Sequence, residues 1–162
     1  IATEFSNFAK MPEAKLQRLD VRNVLESAVS LFRDTPEITF HFQAEENPLY
    51  VKADPDQLLR VFSNLLKNAV QSIPDSRKGE VQVEIGRDSD DYCTIKITDN
   101  GIGIPDNQKD KIFSPNFTTK SSGMGLGLSM VKNIVQIAGG TIWFSSEYNL
   151  GTSFHIRLPL VN

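Results

Sequence analysis

The sequence predicts an α+β fold, with helices layered on one face of a sheet. Some segments carry apolar residues at helical spacing, others alternate, and the late strands mostly neighbour one another along the chain. Residues Glu4 to Ala9 read as the end of a helix that Met11-Pro12 closes, and Pro12 to Leu19 as a polar linker. Asp20 stands where an N-cap belongs, ahead of Val21, Val24, Leu25, Ala28, Val29 and Phe32. Ile38, Phe40 and Phe42 alternate with Thr39 and His41, the period of a strand. The clearest helix begins at Asp54-Pro55, where Asp54 can cap and Pro55 suits the first turn. Its apolar stripe is Leu58, Phe62, Leu65, Ala69 and Ile73, and Pro74-Asp75 ends it. Val81, Val83 and Ile85 predict a second strand, and Cys93, Ile95 and Ile97 a third. A helix runs from about Gly127 to Ala138, stopped by Gly139-Gly140. Strands follow near Thr141 to Glu147 and Ser153 to Leu158.

At 162 residues the chain is long enough to bury a core without a disulfide or metal. With 40% hydrophobic and 23% charged residues, whole-chain disorder is excluded. No apolar run reaches the ~18 residues of a membrane span, and Ile1 to Lys10 contain no signal-peptide core. A net charge of −3 argues against nucleic acid as a partner, since such binders present a basic face. The single Cys93 excludes a disulfide framework and fits a reducing compartment, the cytoplasm. A start at Ile1 rather than Met reads as a piece of a longer protein.

Half of the ten glycines fall in two short clusters. Asp99-Asn100-Gly101-Ile102-Gly103-Ile104-Pro105 follows a strand, and Gly123-Met124-Gly125-Leu126-Gly127-Leu128 precedes a helix. A glycine-rich turn entering a helix offers free N–H groups and a positive dipole end to a phosphate. Other phosphate motifs fail on spacing. A Rossmann fingerprint needs glycine where the chain has Leu128 or Asp106, and a P-loop needs glycine before Lys120-Ser121, where Thr119 stands. His41 and His155 sit apart on separate strands, so no zinc site is expected. Asn64, Asn68 and Gln71 share one helix face at i, i+4 and i+7, a pattern that alone reads as solvated surface.

The order of these elements carries more than any one of them. Asn64-Leu65-Leu66-Lys67-Asn68-Ala69 is followed by Asp99 to Ile104, then Ile112-Phe113-Ser114-Pro115-Asn116-Phe117, then Gly123 to Leu128, then Gly151-Thr152-Ser153-Phe154. In that order they resemble the N, G1, F, G2 and glycine-threonine boxes of the ATP-binding domain of bacterial sensor histidine kinases. The wider group includes the type II topoisomerase, Hsp90 and MutL ATPase domains. The resemblance covers about Asp20 to Leu160. Pro115, Thr118-Thr119-Lys120 and a short lid look most like the nitrogen-regulation type.

The resemblance implies a two-layer α/β sandwich of the Bergerat type, a mixed sheet covered on one face by helices, binding ATP and Mg²⁺. It implies an ATP-binding kinase domain over residues 20–162, with 1–19 the end of a histidine-containing dimerisation helix plus linker. Asp99 would accept from the adenine amino group, Gly103 would let the backbone pass the base, and Thr152 would sit near it. Gly101 belongs to the same turn. Asn68 would ligate Mg²⁺ and Asn64 would hold phosphate or a metal-bound water. Gly123, Gly125, Leu126 and Gly127 would cradle phosphates, with Lys120 in the lid as a point charge. Phe113 and Phe117 would anchor the lid or serve as core aromatics. Lysine is common in the family where this chain has Gln71, and a small hydroxyl residue where it has Met124.

The implied activity is transfer of the ATP γ-phosphoryl group to a histidine on the chain's own dimerisation domain, for relay to a response-regulator receiver domain. His41 and His155 lack the context of an acceptor box, so the acceptor lies elsewhere and this piece should not phosphorylate itself. No catalytic acid or base is assigned within the chain; Asn64 and Lys120 would support the transfer. In the topoisomerase and Hsp90 branch a glutamate occupies the position of Asn64. An amide cannot act as a general base, so ATP hydrolysis should be negligible. The parent is expected to be a homodimer through its missing helices, with the piece alone a monomer and membrane anchoring of the parent left open. A docking module without activity and a serine-kinase relative are the alternatives.

Overall fold

The computed structural model describes residues 13–115 and 124–162. The expectations for Glu4 to Ala9, Phe117, Lys120 and Gly123 lie outside them. The elements run β1 (Gln17–Asp20), α1 (Val21–Phe32), β2 (Ile38–Ala44), β3 (Tyr50–Ala53), α2 (Pro55–Ser72), β4 (Gly79–Arg87) and β5 (Tyr92–Asp99). A 3₁₀ helix (Asp106–Lys111), α3 (Met124–Ile137), β6 (Thr141–Glu147) and β7 (Gly151–Pro159) complete the order.

The main sheet is ordered β2-β4-β5-β7-β6. β2 and β4 are parallel and every other pair is antiparallel, so the sheet is mixed. Alternation places Val81, Val83 and Ile85 of β4, Cys93, Ile95 and Ile97 of β5, and Phe154, Ile156 and Leu158 of β7 in the core. Against them pack Leu25 and Val29 of α1, Phe62 and Leu65 of α2, and Val131 and Val135 of α3. Thr39, His41 and Gln82 on the opposite face are exposed. This is the expected two-layer sandwich, its described helices packed on one side of the sheet.

The linker expected over Pro12 to Leu19 is corrected in part. Gln17–Asp20 forms β1 and pairs antiparallel with Tyr50–Ala53 in a separate two-stranded sheet. Both strands have only four residues, too few for their alternation to stand out. The expected caps are present. Asp20 accepts from the Arg22 N–H at 3.1 Å, and Asp54 Oδ1 from the N–H groups of Asp56 and Gln57 at 2.9 and 3.2 Å. Asp54 Oδ2 also accepts the Lys15 N–H at 2.9 Å. That bond, more than the capping bonds, holds the Asp54 carboxyl below its ordinary pKa. Its contribution is therefore present above that ordinary value and is lost as pH falls through the lowered one. Asp54→Ala is expected to destabilise the fold by about 1 kcal/mol, read as a lower urea midpoint at unchanged slope.

Candidate functional site

Strand alternation continued past Ile97 turns Asp99 inward, toward the helix layer. Its cross-strand partner Thr152 turns inward too, and the two are among the few buried polar side chains in the described core. They border a cavity of about 210 Å³. Asn68 and Ser72 of α2 line one side, and Ile102 to Pro105 with Gln108 and Ile112 another. Leu128, Phe154 and Tyr148, the last in the β6–β7 turn, close it. The walls are mostly apolar, with polar groups at a few points, as in a site for a largely apolar planar ligand.

Asp99 Oδ1 accepts two hydrogen bonds, from the Gly101 N–H at 2.8 Å and from Ser72 Oγ at 3.2 Å. Burial nevertheless pushes its pKa up to about 6; the Gly101, Ser72 and Thr152 hydrogen bonds oppose that rise. Thr152 Oγ1 lies 2.9 Å from Ser146 Oγ, which also accepts the Ile104 N–H at 2.8 Å. Asn100 holds the glycine turn to the sheet, accepting from the Glu80 N–H at 2.8 Å and donating to Lys78 O at 2.9 Å. The amide nitrogen of Asn68 is buried and has no hydrogen-bond partner among the described residues.

Asn68, Asp99, Gly103 and Thr152 thus meet at one cavity, as the sequence led us to expect. Gly101 and Asn64 do not line it. A side chain at Gly101 would collide with Ser72, so the turn's first glycine is needed for helix contact rather than ligand approach. At Gly103, φ is +74° and a Cβ would run into the Glu147 backbone, so internal packing also demands glycine there. Asn64 Nδ2 donates back to Arg60 O at 3.0 Å, and its Oδ1 faces Gly127, 2.6 Å from where a Cβ would stand. Gly125, Leu126 and Gly127 fall in the first turn of α3, which begins at Met124 rather than at Gly127. Phe113 meets Phe144 and Phe154 edge-on, with ring centres 6.0 and 6.4 Å away, and packs against the core. Ser72, Ser146 and Tyr148 belong to no motif and were missed. Of these, only Ser72 carried a signal: it sits one helical turn after Asn68, on the side of α2 facing the cavity.

These residues suit an adenine nucleotide with its metal. A buried carboxylate can accept from an exocyclic amine, apolar walls suit a planar base, and the Asn68 side-chain oxygen is of the type that ligates Mg²⁺. The described residues hold no group of three or more His, Cys, Asp or Glu side chains able to hold a metal ion.

Fold and cavity together define a nucleotide-binding two-layer sandwich. The family described as histidine kinase-, DNA gyrase B-, and HSP90-like ATPase matches residues 53–162, and the chain belongs to that family. It is 35% identical over 164 residues to the sensor histidine kinase ZraS of Salmonella typhimurium, covering 99% of this chain and 35% of that protein. The mycobacterial sensor histidine kinase MprB superposes with a TM-score of 0.79 at 28% identity, over 90% of this chain and 97% of that one. Histidine kinase ThkA, crystallised with the response regulator protein TrrA, superposes with a TM-score of 0.80 at 25% identity, over 99% of this chain and 46% of that one.

Proposed function

We propose that this chain is the ATP-binding catalytic domain of a sensor histidine kinase. The buried Asp99 at the floor of a mostly apolar cavity, which Asn68 also lines, is the observation that carries the reading. In this reading Asp99 accepts from the adenine amino group, and Thr152 with Ser146 backs the same edge of the base. Gly103 forms the wall, held there by its own packing on Glu147. Asn68 would hold Mg²⁺, which would supply charge neutralisation on the phosphates. The phosphates would lie toward the first turn of α3, where Gly125 to Gly127 place N–H groups at a helix N-terminus. Asn64 then acts through Gly127, setting the start of α3, rather than on phosphate directly. Lys120 is assigned as the phosphate-contacting cation.

In the whole protein the γ-phosphoryl group would leave ATP for the ring nitrogen of a histidine on the dimerisation domain, with ADP as leaving group. Catalysis would be positioning plus charge neutralisation. Without a carboxylate at the Asn64 position, water should not compete as the acceptor. Relay to a response regulator, a dimeric parent and a cytoplasmic place for the domain complete the proposal. The likeness to ThkA, crystallised with TrrA, supports the partner class. The nitrogen-regulation likeness rests on Pro115 and on residues outside those described.

Thermal unfolding with Mg-ADP, a Mg-ATP analogue and Mg-GTP tests this. At about 100 times Kd, binding adds roughly 2.7 kcal/mol to stability, an upward shift on the order of 5 to 10 °C at this size. A shift with adenine nucleotides and none with Mg-GTP is expected. No shift with any of them would refute the proposal.

A further inference from the structure

We infer that Arg77 is a positioning residue for this cavity: its guanidinium fastens the β6–β7 turn to the glycine turn after β5 and so preforms the outer wall. What the wall would contact rests on the nucleotide reading above; the fastening itself does not.

Arg77 lies between α2 and β4, outside every recognised motif. Its Nη1 donates to three backbone carbonyls, those of Asn100 at 2.8 Å, Gly101 at 3.2 Å and Asn149 at 3.1 Å. The first two belong to the glycine turn, the third to the β6–β7 turn. One guanidinium nitrogen carries two hydrogens, so the three acceptors share them and at least one bond is three-centred. Carbonyls of the main chain cannot swing aside as side chains can. Three of them converging on one cation therefore set the spacing between two turns far apart in sequence.

The turns so joined carry the mouth of the cavity. Ile102 follows Gly101 and Tyr148 precedes Asn149; both line the cavity, and they are 39% and 57% exposed. The hairpin tip from Tyr148 to Leu150 is exposed throughout. Besides Arg77, the Asn149 N–H ties it to the glycine turn, donating to Ile102 O at 2.6 Å. A tip with so little buried surface would otherwise open at small energetic cost. A ring entering between Ile102 and Tyr148 meets a wall already ordered, so less ordering entropy opposes binding. The positive charge serves here through the main chain, and no phosphate contact is assigned to it.

The test compares the full chain with Arg77→Ala and Arg77→Lys. Calorimetry at room temperature gives affinities for adenosine and Mg-ADP; hydrogen exchange reads the Asn149 amide; melting without ligand reads the global fold. Arg77→Ala should weaken adenosine and Mg-ADP by the same factor, about tenfold, the size of losing one hydrogen bond to a charged donor. The equal factor places the loss at the base rather than at the phosphates. Exchange at Asn149 should quicken while melting stays cooperative. Arg77→Lys, which keeps a cation with three donors, should recover most of both effects. Unchanged adenosine affinity alongside quicker exchange would overturn the positioning role. Unchanged exchange would overturn the fastening. If the unmodified chain binds neither ligand, the nucleotide reading and with it the positioning role fail, and exchange at Asn149 still decides the fastening.

Discussion

Asp99→Asn is expected to raise the stability of the ligand-free protein at neutral pH and to abolish adenine-nucleotide binding. The two effects share a cause. Asp99 is held in a buried site where its pKa stands near 6 against an ordinary 3.8. At pH 7.5 the folded state therefore carries a poorly solvated charge, a burden on the order of 3 kcal/mol at 1.36 kcal/mol per unit. Asparagine removes the charge and can still present an oxygen to the Gly101 N–H and Ser72 Oγ. Its NH₂ then faces the remainder of the site, and a donor there cannot accept from an exocyclic amine. Melting should rise on the order of 10 °C at neutral pH, while affinity for Mg-ADP falls at least a hundredfold, about the 2.7 kcal/mol two tenfold steps represent. A stabilised variant that binds normally would remove Asp99 from the role of base acceptor.

The same group sets a pH profile. Between about pH 4 and 6 the folded state binds more protons than the unfolded one, because its pKa is the higher. Stability from this group therefore falls as pH rises through that window and levels off above it. Nucleotide binding runs the other way. The base needs the carboxylate, so affinity should weaken tenfold per unit below about pH 6 and hold steady above. In Asp99→Asn the melting advantage should vanish near pH 4, where both side chains are neutral.

The sequence made the helix layer and the main sheet legible because their periods are long and regular. Leu58, Phe62, Leu65 and Ala69 define a buried stripe over about three turns of α2, and the three inward apolar residues of β5 alternate without a break. β1 and β3 escaped notice because four residues hold only two alternations, and Gln17, Arg18 and Lys52 are polar. The 3₁₀ helix Asp106–Lys111 has no buried residue and so no pattern to read. At the site, the motif polar residues were legible as chemistry, and Asp99 and Asn68 do meet. Gly101 and Gly103 answer to a further demand: Ser72 and Glu147 approach them, and neither contact can be inferred from a one-dimensional motif. Arg77, Ser146 and Tyr148 come from loops and strand ends whose neighbours are set by tertiary structure alone.

Gly103→Ala should be among the most damaging single changes in the chain, and Gly86→Ala among the mildest. At Gly103, φ of +74° is a conformation that costs an L-residue about 1 to 2 kcal/mol. The added methyl would also meet the Glu147 carbonyl, with the Tyr148 Cα only 3.0 Å away. These are backbone atoms, so the hairpin itself must retreat. Retreat stretches the Asn149 N–H bond to Ile102 O and the Ile104 N–H bond to Ser146 Oγ, 2.6 and 2.8 Å long. Strain and lost bonds together come to roughly 3 kcal/mol, a fall in melting temperature on the order of 10 °C. Nucleotide affinity should drop with it, since the wall that moves is the wall of the cavity. At Gly86, inside β4, a Cβ would meet nothing within 4 Å. Alanine there should gain a few tenths to 1 kcal/mol by restricting the unfolded chain. If both variants melted alike, close approach of the hairpin would not be what requires glycine at position 103, and the cavity wall would be softer than its packing implies.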